Sequence, residues 1–141
     1  MKQKIKTALI SVSDKTDLSI VLKTLNKHNV KIISSGGTYK AIKQLGYPCT
    51  EVSTYTGFKE MLDGRVKTLH PKIHAGILHD RSNKKHAKEM NKQKFPSLDL
   101  IVVNFYPFQK IVTNSKNNKE IIENIDIGGP TMVRAAAKNF K

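Results

Sequence analysis

Short apolar runs alternate with amphipathic stretches along the first half of the chain. Residues 6–13, KTALISVS, form an apolar run that ends in small polar residues, a pattern typical of a buried strand. Residues 14–29 follow with apolar side chains at helical spacing, so that Leu18, Val21, Leu22 and Leu25 share one face. The pattern therefore predicts a strand that leads directly into an amphipathic helix.

The same alternation continues through residue 53. Residues 30–35 predict a second strand, and residues 36–46 predict a Gly-Gly turn that leads into a short helix. Residues 47–53 predict a third strand. We place this strand near a sheet edge because Pro48 has no backbone N–H group to donate.

Periodicity is weaker in the middle of the chain. Residues 57–64 suit one or two helical turns, and residues 65–78 suit a loop or a bent helix that is interrupted at Pro71. Residues 82–94 are polar and rich in lysine, and they suit either a polar helix or a mobile insertion. The pattern leaves these alternatives open.

The clearest strand comes after this irregular stretch. Residues 98–108, LDLIVVNFYPF, predict a strand that stops at Pro107. Residues 118–125 predict a short helix, and the turn DIGGP leads into a second helix over residues 131–140. Because strands alternate with helices, we predict an α/β fold with right-handed crossovers and a parallel sheet.

Length and composition place the chain in a broad class. A chain of 141 residues is long enough to bury its own core, and we expect residues 1–141 to form one domain. The chain stops in a helical pattern where another strand would normally follow, so we expect this domain to lack its C-terminal part. Cys49 is the only cysteine, and no apolar run resembles a bilayer span or a secretory signal. We therefore expect a soluble, cytoplasmic protein with no membrane partner.

The chain is strongly basic, with a formal net charge of +14. Such an excess favours anionic partners, including nucleic acids and phosphorylated metabolites. Nucleic-acid readers tend to use arginine forks and stacking aromatic rings, whereas this chain has three arginines and no tryptophan. We therefore expect no nucleic-acid partner. The lysine-rich residues 79–94 are expected to form a solvated face without a catalytic role.

Polar motifs follow three of the predicted strands. They are SVSDKT after the first strand, SSGGT after the second and NFYPF after the fourth. The carboxyl ends of parallel strands meet at one edge of a sheet, where helix N-termini also form natural anion sites. A Gly-Gly-Thr turn that enters a helix offers backbone N–H groups and a hydroxyl, although a simple tight turn would explain it equally well. Together the three motifs predict a phosphate site at this edge.

A basic stretch in the middle of the chain, GRVKTLHPKIHAGI, suits the same edge. Arg65 offers a planar fork for phosphate and Lys67 a point charge, whereas the alternative interpretation is a solvated basic loop. His70 and His74 have the i, i+4 spacing of a metal pair or of residues that orient the loop. No third ligand motif accompanies them, so we expect no metal.

Five segments in order carry a resemblance to a known family: SVSDKT, SSGGT, TGFKEMLDGRVKTLHPKIHAGIL, NFYPF and DIGGPTMVRAAAKN. They closely resemble the N-terminal IMP cyclohydrolase domain of the bifunctional purine-biosynthesis enzymes that also contain AICAR transformylase. The resemblance runs from about residue 7 to the end of the chain, and its two longest strings are too specific to arise together by chance. It implies a methylglyoxal-synthase-like, three-layer α/β domain with a parallel sheet.

The resemblance also implies a reaction. In that family the domain closes the ring of 5-formamidoimidazole-4-carboxamide ribotide to give inosine monophosphate (IMP) and water, the last step of de novo purine biosynthesis, without a cofactor or a metal. The expected partners are thus a purine ribotide monophosphate as substrate and IMP as product. The transformylase domain is absent from this chain, so no folate chemistry is expected.

The family motifs assign roles to individual residues. The residues implied at the reacting groups, with Lys138 as proton donor and acceptor, are Lys67, Lys138, Asp126, Tyr106 and Asn104. The residues implied in binding the phosphate and the rest of the nucleotide are Ser13, Lys15, Ser35, Gly36, Gly37, Thr38, Arg65, Thr68, Phe105, Ile127 and Gly128. A purely structural alternative exists for several of them, since Lys138 suits a helix end, Asp126 a helix cap and Tyr106 core packing.

Other functions fit parts of the pattern. A regulatory module on the same fold would bind a purine monophosphate without converting it. Methylglyoxal synthase fits less well because it relies on aspartates near its phosphate turn, where this chain has lysines and asparagine. A missing neighbour strand would leave an unpaired sheet edge, which a homodimer would cover. Asp17 stands where the family has glycine after SDKT, and we expect a small effect on the helix entry.

Overall fold

A four-stranded parallel sheet forms the centre of the domain. The computed structural model describes residues 4–140. The strands are β1 (Thr7–Ser11), β2 (Lys31–Ser34), β3 (Thr50–Glu51) and β4 (Leu100–Val103). Their order in the sheet is β3-β2-β1-β4, and each neighbouring pair is parallel. The predicted α/β fold with a parallel sheet is confirmed.

Eight helices surround this sheet in the part of the chain that the structure describes. They are α1 (Leu18–Lys27), α2 (Gly36–Gln44), α3 (Val52–Thr56), α4 (Pro71–Leu78), α5 (Lys84–Gln93), α6 (Phe108–Asn114), α7 (Asn118–Glu123) and α8 (Gly128–Lys138). None of the helices within residues 4–140 combines the length and the apolar character that crossing a bilayer would require.

The central strand β1 packs on both faces, which gives the domain three layers. Alternate side chains of a strand point to opposite faces, so Ile10 lies among residues of α1 and α2 while Leu9 lies among residues of α4 and α8. Both side chains are fully buried. Their burial on opposite faces explains why residues 6–13 form a continuous apolar run rather than an alternating one.

Two predicted strands are shorter than their sequence patterns indicate. The predicted strand 47–53 is reduced to β3, because α3 begins at Val52. The Val52 side chain is buried as part of this helix rather than as part of a strand. The predicted strand 98–108 is reduced to β4. Its aromatic end leaves the sheet and leads into α6, a helix that the pattern did not predict, with Pro107 at the helix entry where a missing N–H group costs no hydrogen bond.

The predicted helical turns over residues 57–64 are wrong. An antiparallel bridge joins Met61 to Val66, and Leu62, Asp63 and Gly64 between them all have positive φ angles. Residues in this region of φ cannot continue a right-handed helix. The chain therefore forms a tight turn here, and Pro71 starts α4 rather than interrupting a helix.

Two helix entries also differ from the prediction. Helix α8 begins at Gly128, three residues before the predicted start, so the glycines of the DIGGP turn lie in its first turn. Asp17 precedes α1 with a φ of 58°, a conformation that favours glycine. This is the position where the resembling family has glycine, and aspartate is one of the few other residues that tolerate it.

Candidate functional site

A cavity of about 550 Å³ opens at the carboxyl edge of the sheet. The segments after β1, β2 and β4 form its floor, and residues 63–68 and the start of α8 form its walls. The predicted site residues that line it are Ser13, Lys15, Ser35, Gly37, Thr38, Arg65, Lys67, Thr68, Asn104, Tyr106, Asp126, Ile127 and Gly128. Its volume suits a nucleotide-sized ligand, because small-molecule sites commonly occupy roughly 300–1,000 Å³.

Two lysines converge on the turn at the start of α2. The Nζ atom of Lys15 would lie 3.8 Å from a Cβ atom on Gly37, and that of Lys67 would lie 3.1 Å from a Cβ atom on Gly36. Gly36 also has a φ of +55°, so a side chain at this position would be both strained and crowded. The turn thus presents the unpaired N–H groups of a helix start between two cations, which is a suitable environment for an anion.

The hydroxyl of Thr38 is occupied by the backbone. Its Oγ1 atom accepts a hydrogen bond from the N–H group of Val12 at 3.1 Å and donates to the carbonyl oxygen of Val12 at 2.8 Å. The side chain is buried, at 5% exposure. Thr38 therefore joins the end of β1 to the start of α2 and also lines the cavity.

Asn104 has a similar positioning role. Its Oδ1 atom accepts hydrogen bonds from the N–H groups of Ser13 and Asp14 at 2.6 and 3.1 Å, and its Nδ2 atom donates to the carbonyl oxygen of Asp14 at 2.7 Å. These bonds hold the segment that carries Lys15 against the end of β4. Asn104 thus has a structural role, and it also lines the cavity, so its predicted place beside the reacting groups stays a prediction.

Arg65 lies at the cavity rim and pairs with Glu123 of α7. Its Nε atom donates to Oε2 of Glu123 at 3.3 Å, and its Nη2 atom donates to Oε1 in a second, short contact. The hydrogen bonds and charge of Glu123 raise the pKa of the Arg65 guanidinium, and the same contact holds the pKa of Glu123 below its usual range. The Arg65 guanidinium is therefore shared with Glu123, and its predicted contact with a phosphate stays a prediction.

Lys67 keeps a less compensated charge than Arg65. The closest carboxylate oxygen, on Glu60, lies 3.9 Å from its Nζ atom. The Lys67 side chain is only 28% exposed. A partly buried ammonium group with a distant partner is suited to interact with a negatively charged atom of a ligand in the cavity.

The start of α8 lies close to Thr68, in the basic stretch GRVKTLHPKIHAGI. A Cβ atom on Gly128 would lie 2.6 Å from Oγ1 of Thr68, which is buried at 5% exposure. The Oδ1 atom of Asp126 accepts a hydrogen bond from the N–H group of Gly129 at 2.9 Å. The helix-cap alternative for Asp126 is therefore observed, and the residue lines the cavity at the same time.

The two histidines of the basic stretch have structural partners. The Nδ1 atom of His70 accepts from the N–H group of Lys72 at 3.1 Å and caps α4. Burial lowers the pKa of His74, while a hydrogen bond with the Thr68 backbone opposes that shift. Nε2 of His74 is buried without a hydrogen-bond partner in the described part of the chain. Across residues 4–140, no group of three His, Cys, Asp or Glu side chains is arranged to hold a metal ion.

We expect His74 to make the stability of the domain depend on pH. Its folded-state pKa is lowered, so the neutral form stabilises the fold above the ordinary histidine pKa of 6.5, and this contribution is lost as the pH falls further. Melting temperatures measured from about pH 7.5 to about pH 5.5 should fall for the wild type and fall less for His74→Gln. The variant His28→Gln, at an exposed position, serves as control, and identical pH slopes for all three proteins would contradict the expectation.

Lys138 lies at the far end of α8 from the cavity. Helix α8 begins at the cavity with Gly128, and a rise of about 1.5 Å per residue places Lys138 about 15 Å further along the axis. The next residue, Asn139, lines a separate cavity with Asp99 and Leu100, at the opposite edge of the sheet. Lys138 therefore does not line the cavity of a single chain, and its predicted place beside the reacting groups stays a prediction.

Gly36 and Phe105 are the other two predicted site residues that do not line the cavity. Gly36 borders it through its close approach to Lys67. Phe105 is 49% exposed and lies outside the cavity lining. Conversely, the cavity contains residues that were not predicted as site residues, among them Asp63, Ile122, Glu123, Ile125 and Met132. Glu123 lies in an ordinary polar helix pattern, and no local signal in the sequence distinguishes it from a solvent-exposed residue.

Comparisons with known proteins agree with this architecture. A family model for MGS-like (methylglyoxal-synthase-like) domains matches residues 17–131. The crystal structure of a protein named ForH is similar, with a TM-score of 0.83 and 29% sequence identity. The match covers 97% of this chain and 70% of the ForH chain. The family match spans most of the sequence, and the chain therefore belongs to the family of MGS-like domains.

Proposed function

We propose that this MGS-like domain is an IMP cyclohydrolase. One observation carries the proposal: motif residues from separate segments of the chain, predicted as one site by their resemblance to that enzyme, line a single cavity. Only Gly36, Phe105 and Lys138 fall outside it. The parallel strand ends meet in any such sheet, but that topology alone does not bring Arg65, Lys67 and the start of α8 to the same surface.

The nucleotide phosphate is expected at the end of the cavity near the start of α2. Lys15 supplies positive charge there, and the N–H groups of Gly36 and Gly37 are those of a helix start. The Nζ atom of Lys15 donates to the carbonyl oxygens of Val12 and Ser13, which directs the ammonium group toward the turn.

The base is expected beside the start of α8 and the segment that carries Lys67 and Thr68. Ring closure forms a bond between the carboxamide nitrogen and the formyl carbon, and the formyl oxygen gains negative charge before it leaves as water. The ammonium group of Lys67 is suited to stabilise that oxygen, and Asp126 and Tyr106 line the cavity as groups that orient the carboxamide and accept or return protons.

Most of the acceleration is expected from positioning. The two reacting groups belong to one molecule, so the site has to hold the conformer in which nitrogen and carbon are in contact. The close approach of Gly128 to Thr68 leaves no room for a side chain at this wall, which supports a tight fit around the base.

The proposal is tested by turnover of the formylated ribotide. Purified chain is mixed with 5-formamidoimidazole-4-carboxamide ribotide, and the formation of IMP is followed by its absorbance. We expect saturable product formation that is proportional to protein concentration. A chain that neither forms IMP nor binds it in a calorimetric titration would contradict the proposal.

A second candidate is a module that binds a purine monophosphate without converting it. The observation that favours it is the position of Lys138, because the proton donor implied by the resemblance lies outside the cavity of a single chain. This candidate predicts saturable IMP binding without turnover. The same two measurements therefore separate the two functions.

A further inference from the structure

Glu123 connects two parts of the cavity rim that are distant in sequence. It ends α7 and pairs with Arg65, 58 residues earlier in the chain. The Arg65 side chain is 62% exposed and the Glu123 side chain is 46% exposed. Ion pairs between such exposed groups contribute little to folding stability, so the need for a stable fold does not explain this pair. Both residues line the cavity, which indicates a role toward the ligand.

We propose that Glu123 is a positioning residue that fixes the Arg65 guanidinium, with its charge compensated, so that Arg65 binds an uncharged acceptor on the base rather than the phosphate. This inference rests on the proposed function, since it assigns one more residue to the same nucleotide site.

The geometry of the pair leaves a defined set of donors for the ligand. Two nitrogen atoms of Arg65, Nε and Nη2, face the carboxylate of Glu123. A guanidinium has five N–H donors in a fixed plane, so Nη1 and the second hydrogen of Nη2 remain available. A carbonyl oxygen of the base, such as that of the carboxamide, suits these donors.

The charge distribution in the cavity favours the same orientation. Lys15 forms no ion pair within the described residues, and its Nζ atom contacts backbone carbonyl oxygens. The phosphate is therefore expected at Lys15, where the positive charge is not compensated by a salt bridge. The end of the cavity with Glu123 and Asp126 contains carboxylates, which suit the N–H donors of a base and repel a phosphate.

Local structure holds Glu123 in place. The side chain of Asn117 accepts hydrogen bonds from the N–H groups of Lys119 and Glu120 and caps α7. The chain then reaches Asp126 three residues after Glu123. The ion pair thus couples the basic loop to the segment that carries Asp126, and both segments are expected to contact the base.

The test is a calorimetric titration of the whole chain with IMP, combined with steady-state kinetics. Glu123→Gln keeps the shape of the side chain and removes its charge, and Glu89→Gln on α5 makes the same change at an exposed position outside the cavity. We expect Glu123→Gln to weaken IMP binding about fivefold and to raise KM with little change in kcat, while Glu89→Gln binds like the wild type. Melting temperatures of both variants are expected to match that of the wild type, because exposed ion pairs contribute little to stability.

A double-variant cycle isolates the dependence on Arg65. If Glu123 acts through Arg65, the variant Arg65→Ala/Glu123→Gln binds IMP no more weakly than Arg65→Ala alone. Unchanged or tighter IMP binding by Glu123→Gln would overturn the inference, the latter because Glu123 would then compete with the ligand for Arg65. Losses that add in the double variant would overturn it too. A wild type that binds no IMP overturns the proposed function as well, whereas binding without turnover leaves this inference standing.

Discussion

Replacing Lys67 with alanine is expected to lower kcat/KM for ring closure by about a hundredfold to a thousandfold, the usual effect of removing one group that stabilises a developing oxyanion. The Nζ atom of Lys67 lies close to the glycine turn, and its nearest carboxylate oxygen is 3.9 Å away. Its charge is therefore available to the ligand. The measurement is the initial rate of IMP formation at several concentrations of the formylated ribotide.

Two further variants sharpen this result. Lys88→Ala removes the same side chain from α5, at an exposed position outside the cavity, and is expected to keep wild-type kinetics. Lys67→Arg keeps the charge but changes the donor geometry, and an intermediate rate is expected because the two cations are not interchangeable at a fitted site. Wild-type turnover by Lys67→Ala would remove this residue from the mechanism.

Replacing Thr38 with valine is expected to lower the free energy of unfolding by about 1–3 kcal/mol, because a buried N–H group loses its partner and a carbonyl group keeps only the Lys15 ammonium. Both groups belong to Val12, and the hydroxyl of Thr38 bonds to each of them. Valine has nearly the shape of threonine, so the change removes the hydrogen bonds without opening a cavity. Urea denaturation followed by circular dichroism measures the difference.

Thr38→Ser is the matched control, since serine retains the hydroxyl and loses only a methyl group. We expect it to remain closer to the wild type in stability than Thr38→Val. IMP binding should weaken in Thr38→Val as well, because the segment from Val12 to Lys15 loses its attachment to α2. Equal unfolding free energies for the two variants would show that the hydroxyl does not hold this junction.

Much of the fold follows from patterns that are local in the sequence. The apolar run at residues 6–13 predicts a strand, and β1 lies within it. The helical spacing of Leu18, Leu22 and Leu25 predicts α1, because burying one face of a helix places apolar residues at the helical period. The boundaries of β3 and β4 were less predictable. Val52 is buried as the first residue of α3. A single apolar residue at the end of a short run does not show whether it belongs to a strand or to the helix that follows.

The sequence by itself determined the parallel α/β sheet and the set of polar motifs that gather at one edge of it. Parallel strands separated by helices bring their carboxyl ends together, so residues that follow different strands meet without any further information. Tertiary structure alone decided how those residues are used. It commits Thr38 and Asn104 to backbone groups, places Lys138 at the far end of α8 and pairs Arg65 with Glu123. The physical reason is that hydrogen bonds and ion pairs between segments far apart in the chain leave no periodic trace in the sequence.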